Sequence, residues 1–316
     1  MHQFPRGPIR GPTRRPLAVA GLLLAACLLA SPASAQTVSE GLSPTLANIK
    51  KTGVVRLGYR ESSPPFSFLD HSNRPIGYSL ELCEAIVEEI GVEVDDANLK
   101  VEYVKVTSDD RIDAVLQNKI DLECGSTTAN SERGKRVAFS PLMFVAGTKL
   151  MVPKASNVQS LTDLKGKTIV VTKGTTNEQA IQAADKKSSL GLNVVTSPDH
   201  EQSYQMLVDG KADAFATDDI LLSGLIARHK AQDKFRVTGD YLSYDPYGIM
   251  FRKGEPQLSA LVERAFRKLG SNRDLVPLYN KWFTARLPTG ERLNVPISLQ
   301  LEEAFKAMDD SASANR

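Results

Sequence analysis

The sequence is poor in the residues that build metal and redox centres. Its 316 residues include only three cysteines and four histidines. No C-x-x-C pair and no Cys/His spacing typical of a zinc site occurs. The chain also has no glycine-rich phosphate loop and no nucleophile beside a base. We therefore expect no metal, no cofactor and no catalytic residue.

Long hydrophobic runs are equally scarce. The longest apolar stretch, Leu17–Ala30, is shorter than the roughly 20 residues that cross a bilayer. Four arginines precede it and Ala33-Ser34-Ala35 follows it, which predicts a cleaved signal peptide at residues 1–35 and export to the periplasm. Two alternatives stay open: lipid anchoring at Cys27, and Thr13-Arg14-Arg15 as part of a twin-arginine signal.

The chain has no strong charge of either sign. Its formal net charge is +2, but residues 1–35 contain four arginines and no acid, so the remainder carries 35 basic residues against 37 acidic ones. This balance predicts no nucleic-acid partner. The composition, 41% hydrophobic and 24% charged, is typical of a globular protein of one large or two ordinary α/β domains.

Five short apolar runs are predicted as buried strands, and polar residues follow each of them. The runs are Val54–Tyr59, Val101–Val106, Ile120–Cys124, Thr168–Thr172 and Ala212–Thr217. The residues that follow are Arg60, Ser108 to Arg111, Ser126 to Thr128, Thr175 with Thr176, and Asp218 with Asp219. Ligands of open α/β sheets lie beyond the carboxyl ends of the strands. Two guanidiniums, several hydroxyls and a carboxylate there complement an acidic amino acid.

Strand and helix patterns alternate in two successive halves, which predicts an α/β fold with a mostly parallel sheet in each half. One predicted helix begins with Ser79 as its N-cap and ends at Gly91. Apolar extended segments separate the halves, so we expect two lobes joined by two hinge strands. The predicted limits are 45–143 and 248–310 for lobe 1, 147–240 for lobe 2, and 142–148 and 241–249 for the hinges.

Two cysteines remain after the signal, Cys83 on a predicted helix and Cys124 on a predicted strand. An oxidising compartment permits a disulfide between them. Two buried free thiols are the alternative, and the residues alone leave both open.

With these segments placed, the chain resembles the periplasmic solute-binding proteins of ABC importers, and most closely their glutamate/aspartate-binding branch. The resemblance covers about residues 45 to 308. Its most specific stretches are Gly58 to Ser67, Thr107 to Arg111, Glu123 to Thr128, Leu164 to Thr176 and Thr217 to Asp219. It implies a type II periplasmic-binding-protein fold, with two lobes and a cleft between them.

The resemblance also implies a role for each matching residue. It implies that Arg111, Thr128 and Thr176 bind the α-carboxylate of the ligand. It implies that Ser126 and Asp218 bind the α-ammonium, and that Arg60, Ser108 and His200 bind the side-chain carboxylate. The sequence departs from the pattern at Lys173 and at Ala216-Thr217, which bears on the ligand preference. Glutamate and aspartate both stay open, because one methylene contributes only about 1–3 kcal/mol in a shaped pocket.

The implied function is capture of an acidic amino acid by a monomer and its delivery to ABC permease subunits in the inner membrane. Two other functions share this cleft fold. A small-molecule lyase or dehydratase needs an acid or base, for which Glu61, His200 and Asp218 are candidates. A ligand sensor for a membrane receptor needs the same binding chemistry.

Overall fold

The computed structural model describes residues 41–313, with side chains to residue 309. The signal peptide predicted at residues 1–35 and Cys27 lie outside this range. The strands are β1 Val54–Tyr59, β2 Ser62–Ser63, β3 Ser67–Leu69, β4 Pro75–Ile76, β5 Lys100–Lys105, β6 Leu122–Glu123, β7 Val137–Phe139, β8 Phe144–Ala146, β9 Thr148–Pro153, β10 Thr168–Thr172, β11 Asn193–Ser197, β12 Ala214–Asp218, β13 Phe235–Thr238, β14 Asp245–Tyr247 and β15 Met250–Arg252.

The helices complete the order of elements, together with two short 3₁₀ turns at Arg133–Lys135 and Leu161–Leu164. They are α1 Pro44–Thr52, α2 Tyr78–Val94, α3 Arg111–Leu116, α4 Thr176–Ser188, α5 His200–Val208, α6 Asp219–Arg228, α7 Pro256–Ser271, α8 Leu275–Phe283 and α9 Leu299–Ser313. Within residues 41–313, no helix is long and apolar enough to cross a membrane.

The first sheet has the strand order β5-β1-β6-β15-β7. Strand β1 pairs in parallel with β5 and β6, because α2 and α3 return the chain to the same edge between them. Strand β15 joins antiparallel to β6 and β7. We call the part of the molecule built on this sheet lobe 1.

The second sheet repeats this arrangement with the order β11-β10-β12-β9-β13. Strand β10 is parallel to β11 and β12, and β9 is antiparallel to β12 and β13. The part built on this sheet is lobe 2. The carboxyl ends of three parallel strands in each lobe carry the polar residues singled out in the sequence.

Two short strands connect the lobes. Strand β8 leads from lobe 1 to lobe 2, β14 leads back, and they pair antiparallel with Asp245 opposite Ala146 and Tyr247 opposite Phe144. This confirms the predicted two-lobed α/β fold with two crossover strands. The residue limits predicted for lobes and hinges stay predictions.

An aromatic cluster forms the core of lobe 1. Trp282, Tyr279 and Phe283 from α8 are at most 2% exposed. Phe283 stacks on Phe144 of the crossover strand with 4.8 Å between ring centroids. The late helices therefore pack on the first half of the chain, and α7 is further tied to α2 by ion pairs from Arg264 and Lys268 to Glu89. Such burial is the main stabilising contribution of the lobe.

A disulfide joins Cys83 on α2 to Cys124, directly after β6. The sequence left open a disulfide or two buried free thiols, and the structure has the disulfide. The link closes a loop across a sequence separation of 41 residues, which restricts the unfolded chain. It also fastens the segment from Cys124 onward, which carries site residues, to the longest helix of lobe 1.

The predicted ends of α2 are wrong. The helix begins at Tyr78 with Gly77, not Ser79, at the N-cap position. A Cβ on Gly77 would lie 2.1 Å from the carbonyl oxygen of Phe66, so the tight turn before the helix requires glycine. Ser79 lies inside the helix and its Oγ donates to the carbonyl oxygen of Gly125 at 2.8 Å. The helix continues past Gly91 to Val94. Asp95, with φ 58°, is the residue that ends it.

Candidate functional site

The facing strand ends of the two lobes enclose a small cavity. It is lined by Arg111, Ser126, Thr128, Thr175, Thr176, Asn177, His200, Asp218 and Leu221. Six of the eight predicted site residues are in this set. The other two, Arg60 and Ser108, are buried and hydrogen-bonded to each other, with Arg60 Nη2 donating to Ser108 Oγ.

Larger hollows lie on the outer surface. One groove beside α2, of about 540 Å³, runs from Val87 to Leu99 and has no cationic residue in its lining. A ligand site is marked by a few convergent polar groups and by charged residues whose pKa is shifted, and the groove beside α2 offers no such set. The interlobe cavity is therefore the candidate site.

The two predicted guanidiniums are buried at this place. Arg60 follows β1, Arg111 begins α3, and each is 2% exposed. Arg60 Nη1 and Arg111 Nε have no hydrogen-bond partner among the described residues. Burial and then the charge of Arg111 lower the pKa of Arg60 to about 10, so it stays cationic at neutral pH. Buried cationic donors without partners favour an anionic ligand.

A carboxylate that sequence analysis missed lies behind these guanidiniums. Glu123, the last residue of β6, is fully buried and accepts a hydrogen bond from Thr127 Oγ1 at 2.7 Å. Its charge partly offsets the lowering of the pKa of Arg60 and Arg111. The available signal was a charged residue inside the apolar run Ile120–Cys124, since an acid is rarely buried without a partner.

His200 begins α5 and is 1% exposed. Its Nδ1 lies 2.8 Å from Thr172 Oγ1. Burial lowers the pKa of His200 well below its ordinary value, and the charges of Arg60 and Arg111 lower it further. The imidazole is therefore neutral at neutral pH and offers hydrogen bonds without adding charge.

Asp218 ends β12 and holds two hydrogen bonds. Asn177 Nδ2 donates to its Oδ1 at 2.8 Å, and the hydroxyl of Tyr247 donates to its Oδ2. Burial raises the pKa of Asp218 to about 7, and the charge of Asp245 contributes to the increase. An added cation beside Asp218 would stabilise its charged form. Asn177 and Tyr247 were not among the predicted site residues.

A hydroxyl pair spans the cleft. Thr128 of lobe 1 and Thr176 of lobe 2 have their Oγ1 atoms 3.2 Å apart. Both donate to Oδ1 of Asp245, at 3.0 Å from Thr128 and 2.7 Å from Thr176. Asp245 comes from the crossover strand β14, and sequence analysis did not single it out.

A third buried guanidinium also bridges the lobes. Arg133 Nη1 donates to the carbonyl oxygen of Thr128 at 2.9 Å, and Nη2 donates to that of Gly174 at 3.4 Å. Burial and the charge of Arg111 lower the pKa of Arg133 to about 9. It lies in a 3₁₀ turn that the sequence pattern did not predict.

The lobes touch at two glycines. A Cβ on Gly174, where φ is +76°, would lie 2.6 Å from Asp109 Cα, and one on Gly224 would lie 2.3 Å from the carbonyl oxygen of Pro64. Beside the first contact, Lys173 pairs with Asp109 at 2.9 Å between Nζ and Oδ2. Lys173, one of the residues that depart from the family pattern, therefore lies at the contact between the lobes and outside the cavity lining.

The donor set suits an organic ion. Within residues 41–309, no three His, Cys, Asp or Glu side chains are placed to hold a metal ion. The cavity combines buried cations, hydroxyls and one carboxylate between two lobes on crossover strands. This arrangement defines a binding protein for a small charged solute.

The profile of the bacterial extracellular solute-binding proteins, family 3, matches residues 55–285, and the chain belongs to this family. The L-glutamate/L-aspartate-binding protein of Pseudomonas aeruginosa is 39% identical over 93% of this chain and 98% of its own length. The glutamate/aspartate import solute-binding protein of Salmonella typhimurium is 35% identical over 90% of this chain and 95% of its own.

Among solved structures, the fold is similar to an ancestral amino-acid-binding protein described as a precursor of cyclohexadienyl dehydratase. The TM-score is 0.65 at 30% identity, over 76% of this chain and all of that one. The family recognised from sequence motifs is thereby confirmed.

The contact at Gly224 generates a prediction. We expect Gly224→Ala to bind solute about tenfold more weakly or worse, because the added Cβ meets the Pro64 backbone and opposes closure. Alanine is a better helix former than glycine, so α6 itself should not weaken. Isothermal titration calorimetry measures the affinity. Gly134→Ala, where an added Cβ meets nothing within 4 Å, is the control; equal affinities for both variants would contradict the prediction.

Proposed function

We propose that this protein captures glutamate or aspartate in the periplasm and delivers it to the permease of an ABC importer. The observation that carries the proposal is the pair of buried guanidiniums, Arg60 and Arg111, beside a cavity that Asp218 also lines. Each has an N–H donor without a partner in the part of the chain that the structure describes. Two cations and one anion complement two carboxylates and one ammonium. The relatives named for glutamate and aspartate support the same ligand class.

The residues divide between the two ends of the ligand. Arg111 takes the α-carboxylate, since it lines the cavity and its Nε has no partner within the described range. Arg60, Ser108 and neutral His200 take the side-chain carboxylate. Asp218 and Ser126, whose Oγ has no partner among the described residues, take the ammonium. Arginine suits both carboxylates because its planar fork of donors matches their geometry.

Capture proceeds by closure of the two lobes on the crossover strands. Arg111 and Ser126 belong to lobe 1, and Asp218 and His200 belong to lobe 2, so only the closed form offers all contacts at once. A ligand shifts the population toward that form because it binds it more tightly. Each charge-assisted hydrogen bond contributes roughly 1.5–3 kcal/mol. Four or five of them support a micromolar or tighter dissociation constant.

We infer binding without catalysis. Glu61, one acid–base candidate, pairs with Lys105 at 2.6 Å between Oε2 and Nζ and does not line the cavity. The pKa of Asp218 is raised to about 7, which suits a general base at neutral pH. This observation favours a dehydratase as the second candidate function. The relatives are solute-binding proteins of import systems, and transport binding is therefore the conclusion.

The ligand class is tested by a thermal-shift screen of the twenty amino acids on residues 36–316. We expect glutamate and aspartate to give the two largest increases in Tm. Mass spectrometry after prolonged incubation should recover the ligand unchanged. A neutral or basic amino acid as the best ligand would contradict the acidic preference, and a product would contradict binding without catalysis.

Arg60 is predicted to discriminate acidic from neutral ligands. Arg60→Ala should weaken glutamate at least about thirtyfold, as expected for loss of a buried charge partner costing about 2 kcal/mol or more. Glutamine, which carries no side-chain charge, should lose no more than about threefold. Arg74→Ala, an exposed arginine paired with Asp70, is the control. Calorimetry that finds equal losses for both ligands would remove Arg60 from this role.

Binding should weaken on acidification. The raised pKa of Asp218, about 7, means that the ligand-free protein takes up a proton there as the pH falls. An ammonium binds the deprotonated form better, so affinity should fall by up to about tenfold per unit from pH 7 to pH 5. Burial, and then the charges of Arg60 and Arg111, lower the pKa of His200, which opposes proton uptake there as the pH falls. Titrations at several pH values measure the slope; a flat profile would contradict the proposed Asp218–ammonium contact.

A further inference from the structure

We propose that helix α9 stabilises the closed form of the protein through a hydrogen bond to the segment about which the lobes rotate. The bond joins Gln300 of α9 to Tyr244, and neither residue lines the solute cavity. It therefore acts on closure and not on any one ligand. The inference rests on the proposed function only in requiring that the two lobes close around a small solute.

The chain that returns from lobe 2 is attached to that lobe as far as Ser243. The hydroxyl of Tyr241 donates to Asp219 Oδ2 at 2.8 Å, and the backbone N–H of Leu242 donates to the carbonyl oxygen of Thr148 at 3.0 Å. The N–H of Thr148 donates to Ser243 Oγ at 2.9 Å. Since Asp219 begins α6 and Thr148 begins β9, this segment moves with lobe 2.

From Pro246 onward the same chain is attached to lobe 1. The carbonyl oxygen of Pro246 accepts from the N–H of Ala129 at 2.7 Å, and that of Tyr247 accepts from the N–H of Met143 at 3.0 Å. The attachment therefore changes from one lobe to the other across residues 244–245. A few residues at the end of an element commonly absorb the backbone rotation of a hinge, and we call these two residues the pivot.

Helix α9 is fixed to lobe 1. Leu301 and Phe305 are at most 4% exposed and belong to the apolar core of that lobe. Further along, α9 lies close to α7, because a Cβ on Gly270 would be 3.0 Å from Met308 Cβ. The helix therefore moves with lobe 1. It also lies beyond residue 285, where the match to the family profile ends.

A hydrogen bond joins this helix to the pivot. Gln300 Nε2 donates to the hydroxyl oxygen of Tyr244 at 2.6 Å. The Tyr244 side chain is 58% exposed, so core packing does not hold it in place. A backbone rotation at the pivot displaces the hydroxyl at the far end of this side chain, whereas a hydrogen bond requires a separation of about 3 Å. We expect the bond to form in the closed protein and to break as the lobes open.

A bond that exists only in the closed form raises the population of that form. The apparent affinity of each ligand is proportional to the population of the form that binds it. Loss of the bond should therefore weaken every ligand by one common factor. Loss of a group that contacts the ligand would instead weaken some ligands more than others.

Calorimetry on Gln300→Ala tests this effect with the best amino acid from the thermal-shift screen and with a weaker one. We expect both to bind about three- to tenfold more weakly, as one net hydrogen bond contributes, and by the same factor within about twofold. Gln300→Glu should bind nearly as the wild type does, because its carboxylate can accept from the Tyr244 hydroxyl. Unchanged or tighter binding of Gln300→Ala, unequal losses for the two ligands, or an equal loss in Gln300→Glu would overturn the proposal.

A double-mutant cycle asks whether Gln300 acts through Tyr244. Tyr244→Phe keeps the ring and removes the hydroxyl, so it should lose about as much affinity as Gln300→Ala. The double variant should be no more than about twofold weaker than the worse single variant, because each change removes the same bond. Losses that multiply would show independent effects and would reject the role of the bond.

Kinetics show which form of the protein the bond stabilises. Fluorophores on unnatural amino acids at Glu132 in lobe 1 and Gln202 in lobe 2, both exposed, report closure and leave the Cys83–Cys124 disulfide intact. In stopped-flow dilution, Gln300→Ala should release its ligand about three- to tenfold faster, while the association rate stays within about twofold of the wild type. A slower association with an unchanged release rate would place the bond in the open form and contradict the proposal.

Controls separate this inference from folding and from the proposed ligand class. Glu303→Ala changes an exposed residue one turn further along α9 and should leave affinity unchanged within about twofold. Circular dichroism checks that Gln300→Ala keeps its helix content, as expected for a strong helix former. If the wild type prefers a neutral amino acid, the acidic preference fails, and the Gln300 and Tyr244 variants are measured with that ligand.

Discussion

The site depends on keeping like-charged guanidiniums buried next to each other. Arg60 and Arg111 are nearly inaccessible, and the charge of Arg111 lowers the pKa of Arg60 in addition to the effect of burial. The charge of Glu123 offsets part of this cost, but among residues 41–309 both guanidiniums keep an N–H without a hydrogen-bond partner. Leaving such donors unsatisfied costs free energy. A ligand with two carboxylates removes this cost, and it therefore stabilises the closed form.

The crossover strands do more than connect the lobes. Strand β14 brings Asp245 against threonines of both lobes and Tyr247 against Asp218. Groups that hold the ligand are thereby linked to the segments about which the lobes move. Close backbone contacts at Gly174 and Gly224 set how near the lobes can approach. Ligand binding and lobe closure are therefore coupled in this fold.

Predictions from sequence were most accurate where the pattern is local. The strand Thr168–Thr172 has the predicted limits, because its β-branched residues form an interior strand between β11 and β12. The start of α2 was wrong because Gly77 is required by contact with Phe66, whose proximity no local pattern shows. Arg133 and Asp245 were missed for a related reason. An arginine in a 3₁₀ turn and an aspartate in an extended segment look like ordinary surface residues.

The sequence alone determined the family, the two α/β halves and the kinds of groups at the strand ends, since these follow from residue type and short-range periodicity. Only the tertiary structure decided which of them share a cavity and which hydrogen bonds they form with one another. Asp245 meets Thr128 across 117 residues and Thr176 across 69, and the disulfide spans 41. Contacts at such separations depend on how the lobes fold and close, and residue type and short-range periodicity do not show them.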